Sequence, residues 1–396
     1  MIKIGFRKNL LYLFLLVISF FLRRALEIII DEVTGLHNSL IFCFLMCLGQ
    51  IIGGALIYCY QKSFFEKKEK ILDKKIIYEL IQTERELRMS DDISKIRLLV
   101  FFAAFFDLEE FIITDIFIPK IADLSKTITL RLCCIMTITS SLICTYTLKY
   151  KIGRHQIFSL TILGMISLII IIIELIYRSK INDIGNHIIS YFLVLFHYFF
   201  ISLTDVIERY LVDYDYINAF EILMLEGIAS FIITAIYSIF INPFKEISIV
   251  YKRIEASNFI LLIFLLFLFI VLSAFINIYK ILCNILYSPM AKSLSCYFLT
   301  SIFIIYHYIN KNDFMINGEQ NIIYFLMSLV FSVLIDIFGL IYNEFFILKC
   351  CGLSIETHEG ISVRAKESEI ELSDFKNDNI DNIDNEEYVK TSSFVL

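Results

Sequence analysis

Charge is scarce and unevenly placed in this chain of 396 residues: 19% is charged, 58% is hydrophobic, and there are three prolines. A soluble chain of this length would divide into two or three domains, with charged residues interspersed along every surface helix. Here the charges cluster in short gaps between apolar runs of about twenty residues, enough to cross roughly 30 Å of hydrocarbon at about 1.5 Å per residue. That excludes a soluble enzyme, a coiled coil and a disulfide-stapled secreted domain. There is no C-x-x-C pair and no N-x-S/T sequon, and eight of the ten cysteines lie in or at the ends of apolar runs. In such places a thiol acts as a small hydrophobe. H-E-x-x-H, a glycine-rich phosphate loop and G-x-S-x-G are all missing, so no enzyme pattern is present. The six histidines are scattered along the chain and make no metal set. No basic patch suggests nucleic acid. Neither a metal nor another cofactor is expected.

What is present is a succession of ten apolar runs, at 8–30, 39–60, 98–118, 125–148, 156–177, 187–204, 217–241, 257–279, 289–308 and 321–347. Backbone groups in lipid must be satisfied within a segment, and strand-length alternation is absent, so the runs read as helices of an all-α polytopic membrane protein. Pro119 and Pro243 sit just past runs, and Ser288-Pro289 forms an N-cap and first-turn pair for the ninth helix. Within the first run, the apolar stretch 9–22 is followed by no A-x-A-like cleavage site but by Arg23 and Arg24, which favours a retained helix over a cleaved signal peptide.

Orientation follows from Lys/Arg bias. The N-terminal stub holds Lys3, Arg7 and Lys8 without acids, the 149–155 loop holds Lys149, Lys151 and Arg154 without acids, and 61–97 has ten basic against eight acidic residues. These stretches belong on the cytosolic side. An even number of spans then returns the tail to the cytosol. That tail, 352–396, has 11 acidic and 4 basic residues and reads as disordered, whereas 66–88 reads as a helix near the membrane surface. Cys350 and Cys351 follow the last run; two thiols packing at the boundary are favoured there over palmitoylation.

Ionisable residues inside spans are costly and by default face the bundle interior or a watery cavity. Counted from the cytosolic boundary, Asp107 lies at about 15 Å, Glu110 at about 20 Å, Arg131 at about 21 Å and Arg23 at about 22 Å. Arg131 and Glu110 therefore read as a buried ion pair, with Asp107 on the same face of its helix. Further candidates are His197, Glu221, Glu226, Lys292 and Asp336, and a glycine at 227 suits close helix approach. Glu109 and Asp115 make the third helix unusually acidic. Glu174 and Arg178 read as interfacial, and His307 and Glu344 as boundary residues. For each candidate, a charge that merely holds helices in register stands beside the functional reading.

Several stretches together resemble the drug/metabolite transporter superfamily, in particular its solute-carrier-35-like branch and the subfamily F-like members. FLMCLGQIIGGALIYCY resembles that group's "FLGE" helix, with Gln50 where an acid is usual, and VFFAAFFDLEEFIITDIFI resembles its "PALCD" helix, with Asp107 on the Asp. LSKTITLRLCCIMTITSSLICTYTLKYKIGRHQIFSLTILGMISLIIII resembles the long block that carries an arginine and a glycine, here Arg131 and Gly164. VIERYL followed by EILMLEGIASFIITAI resembles the "EEKYL … EG" passage, matching Glu208, Tyr210, Glu226 and Gly227. YNEFFILKCCGLSIET resembles a tail of protist members. The chain departs from the group after Lys292, where an acid and a second arginine are usual; Cys296 and Leu299 stand there, while Thr300 is kept.

The resemblance implies ten transmembrane helices as two inverted five-helix repeats, 1–177 (with the cytosolic loop 61–97) and 187–351, followed by the tail 352–396. It further implies a secondary transporter or exchanger, not an enzyme, that moves a small polar, anionic organic solute across a eukaryotic endomembrane of the Golgi, ER, lysosome or vacuole. The solute would be nucleotide-sugar-like or another metabolite. Arg131, Lys292 and Arg23 would supply cationic contacts, and Asp107, Glu110 and Glu226 would balance charge or hold a proton, with His197 a further candidate. Arg131 and Lys292 stand near the starts of the fourth and ninth helices, which agrees with site residues at corresponding positions of two halves. The expected partners are the solute and the bilayer, with no nucleic acid; a homodimer is left open. The residues alone also allow a different class: a non-transporting scaffold or receptor whose loops and tail bind partners. A channel has no repeated filter motif behind it.

Overall fold

The computed structural model describes residues 2–4, 11–34, 40–69, 93–112, 131–178, 184–215, 217–240, 256–309, 315–316, 319–320, 322–348, 352–357 and 361. Ten helices run through them. They are α1 (Leu11–Thr34), α2 (Leu40–Glu69), α3 (Ile93–Phe111), α4 (Cys134–Thr147) and α5 (Arg154–Arg178). The second five are α6 (Ile184–Asp213), α7 (Ala219–Phe240), α8 (Ala256–Leu286), α9 (Pro289–Ile309) and α10 (Ile322–Tyr342). Each of the ten apolar runs thus contains a helix. Of these, 7 are long and apolar enough to cross a membrane, namely α2 and α5 to α10. The other three fall short for visible reasons: α1 contains Arg23, Arg24 and Glu27, α3 contains Asp107, Glu109 and Glu110, and α4 has 14 residues. The outer surface agrees with a multi-pass membrane protein. Ile172, Ile260, Phe267 and Val330 are all more than half exposed, a display of apolar surface that water would penalise and lipid accepts.

Two short antiparallel pairings accompany the helices. β1 (Ile2–Ile4) pairs with β4 (Phe346–Leu348), and β2 (Met315–Ile316) with β3 (Glu319–Gln320). The first was not visible as a strand pattern, and it brings the beginning of the chain to the segment that follows α10. Both therefore lie at one end of the bundle. Ser288 and Pro289 behave as their chemistry dictates: the Ala291 amide donates to Ser288 Oγ at 3.0 Å, and α9 opens on the proline.

The main core gathers Leu16, Met136, Leu163, Val194, Tyr297 and Ile335 from six helices. Glycine sets the closest approaches. A Cβ on Gly49 would lie 2.7 Å from the Ile270 carbonyl oxygen of α8, one on Gly54 2.7 Å from the Met224 nitrogen of α7, and one on Gly227 2.9 Å from the Ile51 nitrogen of α2. Helix α2 is thereby drawn against both α7 and α8, as small residues permit in lipid. Neighbours follow a regular pattern. Helix α2 packs on α8 as α7 packs on α3, α1 on α8 as α6 on α3, α1 on α9 as α6 on α4, and α4 on α5 as α9 on α10. The pairs α2–α7, α4–α9 and α5–α10 are also in contact. Replacing each helix by the one five places away turns this set of the most extensive contacts into itself, whereas lesser contacts such as α8–α9, α7–α8 and α6–α8 have no comparable counterpart among the described residues.

The acidic tail beyond 361, residues 70–92 of the loop, Asp115, Pro119, Pro243, Cys350 and Cys351 lie outside the described residues, as do the side chains of Glu110, Arg178 and His307.

Candidate functional site

Helix α6 runs to Asp213 and α8 to Leu286, each past the apolar run that contains it. The added turns are polar. They place Asp205 and Glu208 on α6 at i, i+3 and Lys280 and Asn284 on α8 at i, i+4, so each pair shares one helix face. The two faces meet: Asn284 Nδ2 donates to Glu208 Oε2 and to the Asp205 carbonyl oxygen, both at 2.8 Å. Arg209 reaches the carbonyl oxygens of Asn284 (3.2 Å) and Ile285 while pairing with Asp213 at 2.5 Å. A guanidinium there satisfies carbonyls that the end of α8 leaves without intrahelical donors. Because α8 stops at that cap and α9 begins at Pro289, Lys292 is delivered to Asp205, and the two form an ion pair that is 4% and 0% exposed. Lys280 pairs with Asp107 of α3 at 2.5 Å. Glu226 of α7, 1% exposed, has Glu208, Asp107, Lys280 and Asp205 as its charged neighbours. Arg23 of α1 borders this cluster and contributes to the field at Asp107, while its own contacts are Glu27 at 3.5 Å, Met46 and the Phe20 ring.

A second polar centre lies at the other end of α4 and α9. Arg131, just before α4, pairs with Glu174 of α5 and donates to the Tyr324 hydroxyl of α10 at 2.6 Å. The Tyr324 hydroxyl donates to the same carboxylate, and the guanidinium carbon lies 5.2 Å from the centre of its ring. These residues, with Thr300, Phe331 and Ser332, line a cleft of about 330 Å³, its open mouth included. Nearby, Ser301 donates to Asp336 Oδ2 at 2.7 Å and shares a hydrogen bond with Ser332.

Between the two centres runs a seam of hydroxyls. Cys133 meets Thr300 at 3.5 Å, and Thr137 meets Ser293 at 2.5 Å and also Tyr297, so α4 and α9 pass each other in opposite directions. Ser141 bonds the Tyr342 hydroxyl at 2.7 Å, and Ser140 donates to Ser202 at 2.9 Å.

The expected candidates thus separate. Asp107, Glu226, Lys292 and Arg23 come together in or beside the first cluster. Arg131 is drawn into the second, where the counter-ion that the structure gives it is Glu174; the expected partner Glu110 has its side chain outside the described residues. Glu174 is a correction: it is 2% exposed and bonded to Arg131 inside the protein, because a buried guanidinium draws a carboxylate inward from a helix end. Glu344 is likewise not simply solvated, since it faces the buried His155 at 3.4 Å. His197 is buried on α6 with its ring edge-on to Tyr198, and Glu221 is half-buried in the first turn of α7. Asp205, Lys280 and Asn284 were missed. Their one signal was a charge or amide at i+3 or i+4 spacing immediately beyond an apolar run. Among the described residues, no three His, Cys, Asp or Glu side chains converge to hold a metal ion.

No family model and no curated protein matches the chain.

Proposed function

We propose that the protein is a secondary transporter or exchanger of the drug/metabolite transporter type, built as two five-helix inverted repeats with both termini cytosolic. It moves a small polar organic solute across a eukaryotic endomembrane by alternating access. One observation carries the reading: the ionisable groups of the bundle are drawn inward into two separate centres, one at each end of the α4–α9 seam, each made of bonds between helices that can part. Opening one end requires breaking Arg131–Glu174–Tyr324. Opening the other requires breaking Lys280–Asp107 and Lys292–Asp205. A scaffold needs charge pairing for register, but it does not need two such sets. The neighbour pattern that survives exchange of helices five places apart supports the same reading.

Arg131 and Lys292 suggested an anionic solute. Each is already matched by a carboxylate, so an anion would have to displace Glu174 or Asp205 to reach them. The test is uptake and counterflow in proteoliposomes with labelled nucleotide sugars, nucleotides, amino acids, organic acids and organic amines. A panel member should accumulate above empty vesicles and lose that accumulation in Lys280→Met. Counterflow equal to empty vesicles for every member, from protein that remains folded, would favour the scaffold.

A further inference from the structure

The cluster around α6, α7 and α8 holds more acid than base. Asp107, Asp205, Glu208 and Glu226 face Lys280 and Lys292, and both lysines are already paired, one with Asp107 and one with Asp205. Glu208 accepts from the Asn284 amide. Glu226 is left over. Among the described residues neither of its carboxyl oxygens has a hydrogen-bond partner, and Asp205 Oδ2 and Asn284 Oδ1 also lack donors. The groups that surround Glu226 come from every helix packed on α7. Glu208 and Asp205 come from α6, Asp107 from α3 and Lys280 from α8, while α2 brings Gln50 beside Gly227 and the Cys47 thiol against Thr234. Lys292 and Arg23 act one step removed, on Glu208 and Asp107.

An ionised carboxylate sealed from water, without a donor and with other carboxylates among its nearest charges, is not sustained in a low-dielectric interior. A metal ion, a donor-bearing solute or a proton would relieve it. The described residues bring no metal-holding group together, and a solute needs access to a carboxyl that is 1% exposed. A proton needs neither ligands nor space.

We propose that Glu226 is the proton-coupling carboxyl of this protein: it holds a proton in the present conformation, and release of that proton draws Lys280 from Asp107 to Glu226. In the step, the O–H bond of the carboxyl breaks and the proton passes to water. Glu226 gains one negative charge, and the Lys280 ammonium keeps its protons and changes its acceptor. Asp107 stays ionised within the field of Lys292 and Arg23. Proton release is thereby tied to movement of α8 relative to α3. The chemistry stands on the geometry of the cluster; its role in coupling rests on the transporter reading.

The experiment is an infrared pH titration of the full chain in lipid nanodiscs, without solute, following the carbonyl band of a protonated carboxylic acid. Wild type should show a band that disappears as pH rises and that is absent from Glu226→Gln, which closely matches the protonated acid in shape. Asp107→Asn removes a neighbouring negative charge and the carboxylate bonded to Lys280, so it should move the loss of the band to lower pH. Lys280→Met should move it to higher pH. Each displacement should be about one unit or more, a tenfold change in proton affinity. Any other protonated carboxyl contributes a band that the Gln variant leaves in place. Should Glu226→Gln not accumulate, Glu226→Asp keeps a carboxyl and should move the band without abolishing it. A wild-type spectrum with no band sensitive to either substitution overturns the proposal, and so does a band that vanishes at the same pH in Asp107→Asn. Sensitivity of the band to replacing potassium by sodium at fixed pH would assign the site to a metal cation and overturn the proton. Because the titration uses no solute, its failure removes only the proton site. Absent counterflow in vesicles whose protein shows the band removes the transporter reading and leaves the protonation intact.

Discussion

Replacing Glu174 by Gln would take from the buried Arg131 the carboxylate bonded to it. The guanidinium is 3% exposed and the carboxylate 2%, so solvent screens neither, and losing one member of such a pair costs about 3–5 kcal/mol. The single variants should differ. In Glu174→Gln, Arg131 keeps the Tyr324 hydroxyl and the face of its ring, the latter an attraction of about 0.5–2 kcal/mol. That variant should fall near the lower end, about 3 kcal/mol. In Arg131→Gln, Glu174 keeps the Tyr324 hydroxyl as a donor, but its carboxylate has lost the guanidinium bonded to it. That loss should reach about 4 kcal/mol or more. The double variant removes both charges and should sit within about 2 kcal/mol of wild type, giving a coupling energy of several kcal/mol. Equilibrium unfolding in mixed micelles measures all four corners of the cycle, and Tyr324→Phe, which removes only the hydroxyl, should cost about 1–2 kcal/mol. Single variants that each stay within about 1 kcal/mol of wild type, or losses that simply add, would refute the pair.

Glycine at the helix crossings supplies an internal contrast: Gly54→Ala, with its new Cβ 2.7 Å from the Met224 nitrogen, should cost about 1–3 kcal/mol or fail to assemble. Gly164→Ala, whose nearest neighbour would be 3.9 Å away, should be neutral or stabilising by up to about 1 kcal/mol, read by melting in detergent. Arg209→Met removes the donor to the last carbonyls of α8 and should cost about 1–3 kcal/mol, while Arg209→Lys should recover little of it because an ammonium lacks the planar fork. Tags placed before Ile2 and after Leu396 should both be accessible to protease from the cytosolic side in sealed microsomes, and a protected tail would overturn the assigned orientation.

The helices were legible because hydrocarbon demands long apolar stretches, and each of the ten runs proved to hold one. The same criterion concealed much of the candidate site. The run at 187–204 ends one residue before Asp205, and the run at 257–279 ends one before Lys280; in each case a charge was taken as the edge of a helix that in fact continues. Inside a bundle a charge need not end a span, because a partner on another helix, not solvent, compensates it. Depth counting placed Asp107 and Arg131 well inside the hydrocarbon thickness but could not say which way they turn, since orientation about a helix axis is fixed by packing. Asp107 faces Lys280, and Arg131 faces Glu174 and Tyr324. The close approach at Gly227 was readable because no other residue type permits it, whereas the β1–β4 pairing joins residues more than 340 positions apart and leaves no local pattern.

The two centres differ both in chemistry and in the helices that build them. Arg131 and Lys292 stand at the starts of α4 and α9, yet their counter-ions lie on α5 and α6, which are not related by the five-place exchange. Helix packing draws on whole faces of apolar and small residues and tolerates many substitutions, so its pattern persists. An ion pair depends on single side chains and can be replaced one residue at a time. At the Arg131 end a carboxylate, a guanidinium and a phenol bond one another. At the Lys292 end four carboxylates meet two lysines, so pH should act on that end. Two native thiols report on the difference. Cys133 lies beside Thr300 near Arg131, and Cys144 packs with Val206 and Met290 near Asp205; both are buried, and they stand about 16 Å apart along α4. In variants retaining one or the other, a small membrane-permeant maleimide should label Cys144 faster as the pH is raised, after discounting the intrinsic rise in thiolate, and more steeply than Cys133, which has the single carboxyl of Asp336 in its surroundings. Equal pH dependence at both thiols would mean that the ends open together, and the asymmetry of charge would then have no bearing on which side the protein faces.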